Sequence, residues 1–411
     1  MKSSLSINYK IWLKYIAVLM TVLLSKTVVW GMQYEYPVTG LAILSAAIVF
    51  AFEKKINIKN LLQFLLLSGL FLLNIILHLE ALDANLILYS LKRIAYCFLA
   101  LLIVSNISRI TFCKLYTNIM YYMSWCSLFF LSIKIFFPGL IGKISYSFKG
   151  SLIYASYICN PFYTFNRGDF SEIRNYGPFW EPGAFQGFIV IALLGLFVCQ
   201  KELKNSKRKL IILFITLIST QSTTGYIGVI IIIIAFYKDI ETILGLRDGK
   251  QLRKLIGVVI MLMAVGFIWN SGIITTKLFT ENSSKTDRFH DLIAAIETCK
   301  VHPFIGFGSF DLSEEYYKSM GGATSTASLL SIWYTFGFGF FTLYIGLLLK
   351  GLISLFDFHK LKMAAVFLLF LILYFTEEVY ILPLYFCFLF TFHGGNAKNA
   401  KIIMQDKGSS L

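Results

Sequence analysis

The chain has 411 residues, 57% of them hydrophobic and only 14% charged, with a mean hydropathy of +0.72. Soluble domains run nearer about 45–50% apolar and about 25% charged, so this composition excludes a water-soluble globular protein, a disordered chain and a disulfide-stapled secreted scaffold. The net charge of +15 sits on lysines and arginines that punctuate apolar runs, which reads as membrane topology; no nucleic-acid partner is expected.

A helix needs about 20 mostly apolar residues to cross ~30 Å of hydrocarbon. On that measure about twelve spans are expected. They begin near Ile11, Tyr36, Leu61, Leu86, Tyr116, Gly183, Lys209, Thr223, Leu255, Ser328, Lys362 and Val379. The predicted fold is therefore all-α, a polytopic transmembrane helical bundle forming a single integral-membrane domain over residues 1–411. The opening MKSSLSINYK leads into an apolar run reaching about Trp30 without a small-residue cleavage site, so an uncleaved first span is expected.

The connections alternate in charge. Lys54, Lys55 and Lys59 follow the second span, Arg109 and Lys114 the fourth, KELKNSKRK the sixth, and Arg247, Lys250, Arg253 and Lys254 the eighth. Short connections between them carry Glu35, Glu80 with Asp83, and Glu377 with Glu378. Cationic loops stay on the cytoplasmic side, so both termini are expected there. Two long connections, residues 138–182 and 271–327, then fall outside as large periplasmic loops that between them carry Trp, Tyr, Phe, Arg and Glu. Loops of this length are commonly functional, and chemistry or recognition is expected in them. Of the 7 cysteines, Cys159 and Cys299 fall in these outer segments, where an oxidising compartment permits a disulfide; nothing in the reading requires one.

Five stretches carry candidate chemistry. Residues 172–186, EIRNYGPFWEPGAFQ, place Arg174 seven residues before Glu181, which stands ahead of Pro182 at the start of a span. Proline suits a first helical turn and the helix dipole favours a carboxylate there, so spacing alone equally allows an N-capping glutamate beside an aromatic belt. Residues 287–312 carry an amphipathic helical pattern led by Arg288 and closed by Pro303-x-x-Gly306-x-Gly308, glycines that permit close backbone approach to a ligand. STQSTTGYIG (219–228) is a hydroxyl-rich hairpin, and residues 321–339 open the tenth span with more hydroxyls; helix capping and close packing explain most of these. Glu377–Glu378 reads either as an acidic turn or as intramembrane carboxylates, which are functional candidates. No Walker A motif, nucleotide-binding glycine fingerprint or metal-binding cluster is present in the sequence, so no cofactor or metal is expected.

The order of these pieces resembles the O-antigen ligase/polymerase superfamily. Arg174, Gly177, Glu181, Pro182 and Gly183 match its first element, and Arg288, Pro303, Gly306 and Gly308 its third; Ser222, Thr223 and Gly225 fit the second loosely. Ligases of the superfamily carry a His at the outer end of the span after the large loop, and residues 325–327 hold none. The resemblance therefore implies the polymerase branch: joining undecaprenyl-pyrophosphate-linked oligosaccharide repeat units into O-antigen (lipopolysaccharide) or capsule at the periplasmic face of the bacterial inner membrane. A chain-length regulator and a flippase are the partners it implies. Arg174 and Arg288 would clamp the departing pyrophosphate, with Lys285 assisting, while Glu181 would act as base or orient Arg174. Tyr176, Trp180, Gly306 and Gly308 would contact substrate. Ligase-type transfer to another acceptor is the alternative within the superfamily. A lipid-linked sugar transporter is the alternative from another class, for which the in-span cations Lys14, Lys26, Lys92, Arg93 and Lys134 speak.

Overall fold

A computed structural model describes residues 2–79, 84–149, 156–167, 173–246, 257, 284–308, 310–321 and 328–393. The helices are α1 (Lys2–Leu24), α2 (Glu35–Glu53), α3 (Ile58–Leu77), α4 (Ala84–Asn106), α5 (Arg109–Phe136) and the short α6 (Ile141–Ile144). After a small sheet come α7 (Pro182–Val198), α8 (Ser206–Ser219), α9 (Thr223–Ala235) and α10 (Tyr237–Leu244). Then follow α11 (Ser284–Val301), α12 (Phe310–Ser319), α13 (Ser328–Phe356), α14 (Lys360–Thr376) and α15 (Pro383–Cys387). Among the described residues, α2, α3, α4, α5 and α13 are long and apolar enough to cross a membrane. At 17 and 13 residues, α7 and α9 are apolar but shorter, about 20–26 Å of helix against ~30 Å of hydrocarbon. The span expected near Leu255 lies outside the described residues.

The helices are built for lipid rather than water. On α3 the inward face carries Asn60, Gln63, Leu67, Phe71 and Asn74, while Leu62, Leu65, Leu72 and Ile76 face outward and exposed. That reverses the amphipathicity of a soluble surface helix, because lipid accepts leucine and the interior must supply hydrogen bonds.

The all-helical expectation holds apart from the first large loop. There β1 (Tyr146–Lys149), β2 (Ser156–Asn160) and β3 (Tyr163–Arg167) form an antiparallel sheet in the order β1-β2-β3. Tyr157 and Cys159 alternate inward on β2, and Asn160 Oδ1 accepts from the Phe162 and Tyr163 amides at 2.9 Å to close the turn. A 20-residue apolar window is blind to strands this short. Cys159 and Cys299 are both free thiols; burial pushes the first up to about 11 and the second up to about 12.

The twelfth expected span is not a continuous helix. From Leu382 to Phe392 the chain runs buried through α15 and irregular turns, and side chains from distant helices satisfy its backbone. Ser25 Oγ accepts from Leu384 N (3.0 Å), Gln63 Nε2 donates to Leu389 O, and Ser354 Oγ accepts from Phe392 N (2.9 Å). Asn60 donates to Thr391 O (3.0 Å) and accepts from its amide (3.2 Å) and hydroxyl (2.8 Å). Non-helical backbone at membrane depth survives only with such internal partners. Asn60→Ala should therefore cost about 1–3 kcal/mol by leaving these groups unpaired. Thermal unfolding in detergent checks this, with Leu62→Ala on the lipid-facing side as the near-neutral control.

Candidate active site

The first motif is held in an extended strap before α7. Asn175 anchors it, its Nδ2 donating to Ser219 Oγ (2.9 Å) and Ser127 Oγ (3.1 Å) and its Oδ1 accepting from Gly177 N (3.0 Å). Further on, Val28 N donates to Pro178 O at 2.9 Å and Thr27 forms a bridge with Phe179, tying the strap to the end of α1. Pro182 then starts α7 with Glu181 as its extended N-cap residue, as proline's fixed φ and missing N–H favour.

Arg174 is half-buried and its Nε donates to Thr220 O at 3.2 Å. This joins the first motif to the hydroxyl-rich hairpin between α8 and α9. A second link is made by Gln186, whose Nε2 donates to Thr224 Oγ1 at 3.3 Å. At the end of the strap, Glu181 Oε1 accepts from Trp180 Nε1 at 2.8 Å. The Lys26 ammonium stands 5.5 Å from the Trp180 ring centroid and pairs with Glu378 at 2.9 Å. A cation, an indole and two carboxylates thus form one connected group beside the α7 N-terminus.

Glu377 completes this corner. It is 5% exposed, and its carboxylate occupies the place a side chain at position 183 would take: a Cβ on Gly183 would fall 2.0 Å from Glu377 Oε1. The acidic pair is therefore no solvent turn, since Glu378 neutralises Lys26 while Glu377 is buried against the start of α7. Its backbone is fixed as well, Ser328 Oγ donating to Glu377 O (2.5 Å) and accepting from Val379 N (2.7 Å).

The third element reaches the same bundle through a broken helix. At Gly337, φ +84° and ψ 168° interrupt α13, and Phe304 O lies 1.9 Å from where a Cβ would be. The loop 303–308 inserts there, with Phe307 N on Tyr334 O, Gly308 N on Thr335 O and Phe338 N on Pro303 O, each at 2.8 Å. From α3, Asn74 Nδ2 donates to Gly308 O (2.8 Å) and His78 Nε2 meets Gly306 O (3.1 Å). The close approach that the sequence reserved for a ligand is made here to protein: a Cβ on Gly306 would meet Thr335 backbone at 2.5 Å, and one on Gly308 the His78 ring at 2.8 Å. Arg288 and Lys285 sit in the first turns of α11, and their side chains lie outside the described residues. That helix buries Asp291, Ala294, Ala295, Thr298 and Cys299 while Ile293 and Ile296 stay exposed, so small residues, not the isoleucines, form its packing face.

Tyr176 and Trp180, expected from the resemblance to contact substrate, are 4% and 5% exposed and lie against protein cations. Lys134 Nζ stands 5.7 Å from the Tyr176 ring and donates to Phe165 O, linking α5 to β3. Lys26 and Glu377 are thus parts of this corner, and Lys134 a neighbour of Tyr176, that the motifs themselves do not include. The signal for them was each charge's position inside or at the edge of an apolar run. Gly183→Ala should destabilise by about 1–3 kcal/mol through overpacking, and adding Glu377→Ala should recover most of the loss. Thermal unfolding of the two singles and the double checks that non-additivity.

Among family models, one described as O-antigen ligase matches residues 210–345, about a third of the chain. No curated protein and no solved structure matches. The matched stretch runs from α8 through the hairpin, α11, the inserted loop and the break in α13, and stops short of the Arg174–Glu181 strap that leans on it. Several apolar helices mark a membrane protein, and over residues 210–345 the chain is similar to the O-antigen ligase family, in support of the resemblance read from the motif order.

Proposed function

We propose that the protein is a repeat-unit polymerase, a glycosyltransferase that joins undecaprenyl-pyrophosphate-linked oligosaccharides at the periplasmic face of the inner membrane. In this reading the chain crosses about twelve times, both termini are cytoplasmic, and the strap and the inserted loop face outward. The observation that supports it most is the fold of the Arg174 motif onto the family-matched hairpin, through Thr220 O. The absence of His from residues 325–327 favours polymerase over ligase. The in-span cations cited for a transporter are largely neutralised in place: Lys14 by Glu53 (2.7 Å), Lys26 by Glu378 (2.9 Å) and Lys92 by Glu35 (2.5 Å).

The reaction needs a nucleophile and a stabilised leaving group. The acceptor sugar hydroxyl attacks the anomeric carbon of the donor's reducing-end sugar, the bond from that carbon to the diphosphate oxygen breaks, and the lipid diphosphate departs with the electron pair. Glu181 takes the hydroxyl proton, within hydrogen-bond reach. Arg174 and Arg288 meet the charge gathering on the diphosphate, for which a guanidinium fork is well shaped. Trp180, Tyr176 and the glycines of the inserted loop hold this geometry, with Lys285 adding positive potential. A flippase supplies the substrate and a chain-length regulator sets the product.

Arg174→Ala and Arg288→Ala should each lower the transfer rate by about 10²–10³, and Glu181→Ala should do likewise. Gel analysis of surface polysaccharide, with membrane expression checked, should show a collapsed ladder in each. A full ladder in all three overturns the mechanism, and rescue of a ligase-null strain by the wild-type chain would transfer the reading to a ligase.

A further inference from the structure

Arg93 stands apart from the other cations of the bundle. It projects from α4 into the interior and is 8% exposed. Among the described residues no carboxylate lies within 4 Å of it, and its Nη1 has no hydrogen-bond partner. Its neighbour Lys92 consumes the nearby acid, Glu35, whose Oε1 also accepts from Tyr96 at 2.8 Å. What Arg93 has is the Phe336 ring, 4.8 Å from the guanidinium carbon, and the Tyr380 side chain, which also feels Thr335 and Glu378. Phe336 is the residue before the break at Gly337, and Thr335 is the residue that receives the inserted loop. Arg93 therefore lies where the family-matched helix is interrupted, and Tyr380 connects it to the Glu378–Lys26–Trp180–Glu181 group.

A buried cation with only aromatic and hydroxyl neighbours is costly, and a charge kept at that cost inside a membrane bundle marks a place for an anion. A guanidinium–phosphate fork is stronger than contact with an aromatic face, so such an anion would displace Phe336 as its partner. We propose that Arg93 is a third cation for the diphosphate of a polyprenyl-linked substrate, engaging it from the bundle interior between α4 and the first half of α13. The inference rests on the lipid-diphosphate reading above and adds a residue from the N-terminal half, outside the matched stretch.

The test is ligand-induced thermal stabilisation of the purified full chain in detergent, with undecaprenyl diphosphate and inorganic diphosphate as probes. Arg93→Met should leave the ligand-free melting temperature unchanged or raise it, because an unpaired buried charge has gone. It should weaken the lipid diphosphate by at least about tenfold. A purely structural arginine would do the reverse, losing ligand-free stability while keeping affinity, and that result overturns the proposal. If Arg93→Met does not accumulate, Arg93→Lys keeps the charge without the fork; reduced affinity at unchanged stability supports the proposal and full affinity overturns it. An Arg93-dependent response to inorganic diphosphate alone supports recognition of the headgroup without the tail. Failure of the wild-type chain to bind the lipid sinks the reading and the proposal together, whereas wild-type binding with full affinity in Arg93→Met sinks the proposal alone.

Discussion

Every backbone N–H and C=O that leaves helical geometry inside this bundle has to find a side chain or another strand of backbone, because lipid offers nothing. Two segments face that demand: the buried stretch from Leu382 to Phe392 and the loop 303–308 seated in the break of α13. Ser25, Asn60, Gln63 and Ser354 satisfy the first; Asn74, His78 and the α13 backbone satisfy the second. Three of those polar residues, Asn60, Gln63 and Asn74, share one face of α3. That helix therefore fixes both irregular segments.

Charge placement follows from the same arrangement. Because the end of α14 is pinned through Ser328, its two carboxylates are delivered at defined positions. Glu378 reaches Lys26, while Glu377 fills the space left by Gly183. The segment after α1 and the end of α14 thereby meet beside the α7 N-terminus, where the first motif also ends. An anion near that terminus is electrostatically favoured by the aligned peptide dipoles. The corner can thus keep acids close together where isolated buried carboxylates would be expelled.

Local chemistry made much of this legible. Pro182 and Ser222–Thr223 mark helix starts by rules acting within four residues, and the structure begins α7 and α9 there. The inward polar stripe of α3 was equally written at positions three and four apart. The three strands were missed because four or five residues make no span-length signal. The stretch expected as a twelfth span has the apolar content of a helix; a partner for its irregular backbone is Asn60, 331 residues away. Lys26 and Glu378 are 352 residues apart, and Arg174 reaches Thr220, outside its own motif. Pairings of that range leave no periodic trace in a single sequence.

The glycines mark the deepest difference between motif and mechanism. A Gly-rich turn in a loop invites the inference that a ligand's backbone-close approach is being prepared. Here Gly337 admits Phe304 O and Gly183 admits a glutamate, so the space a glycine clears is taken by the protein itself. Such residues are as intolerant of substitution as ligand contacts, because the intruding group is backbone or a buried charge that has nowhere else to go. Their role is to let the acidic end of α14 pack against the start of α7 and the loop 303–308 enter the break in α13. Motif order in this chain therefore encodes how loops dock as well as any contact with substrate.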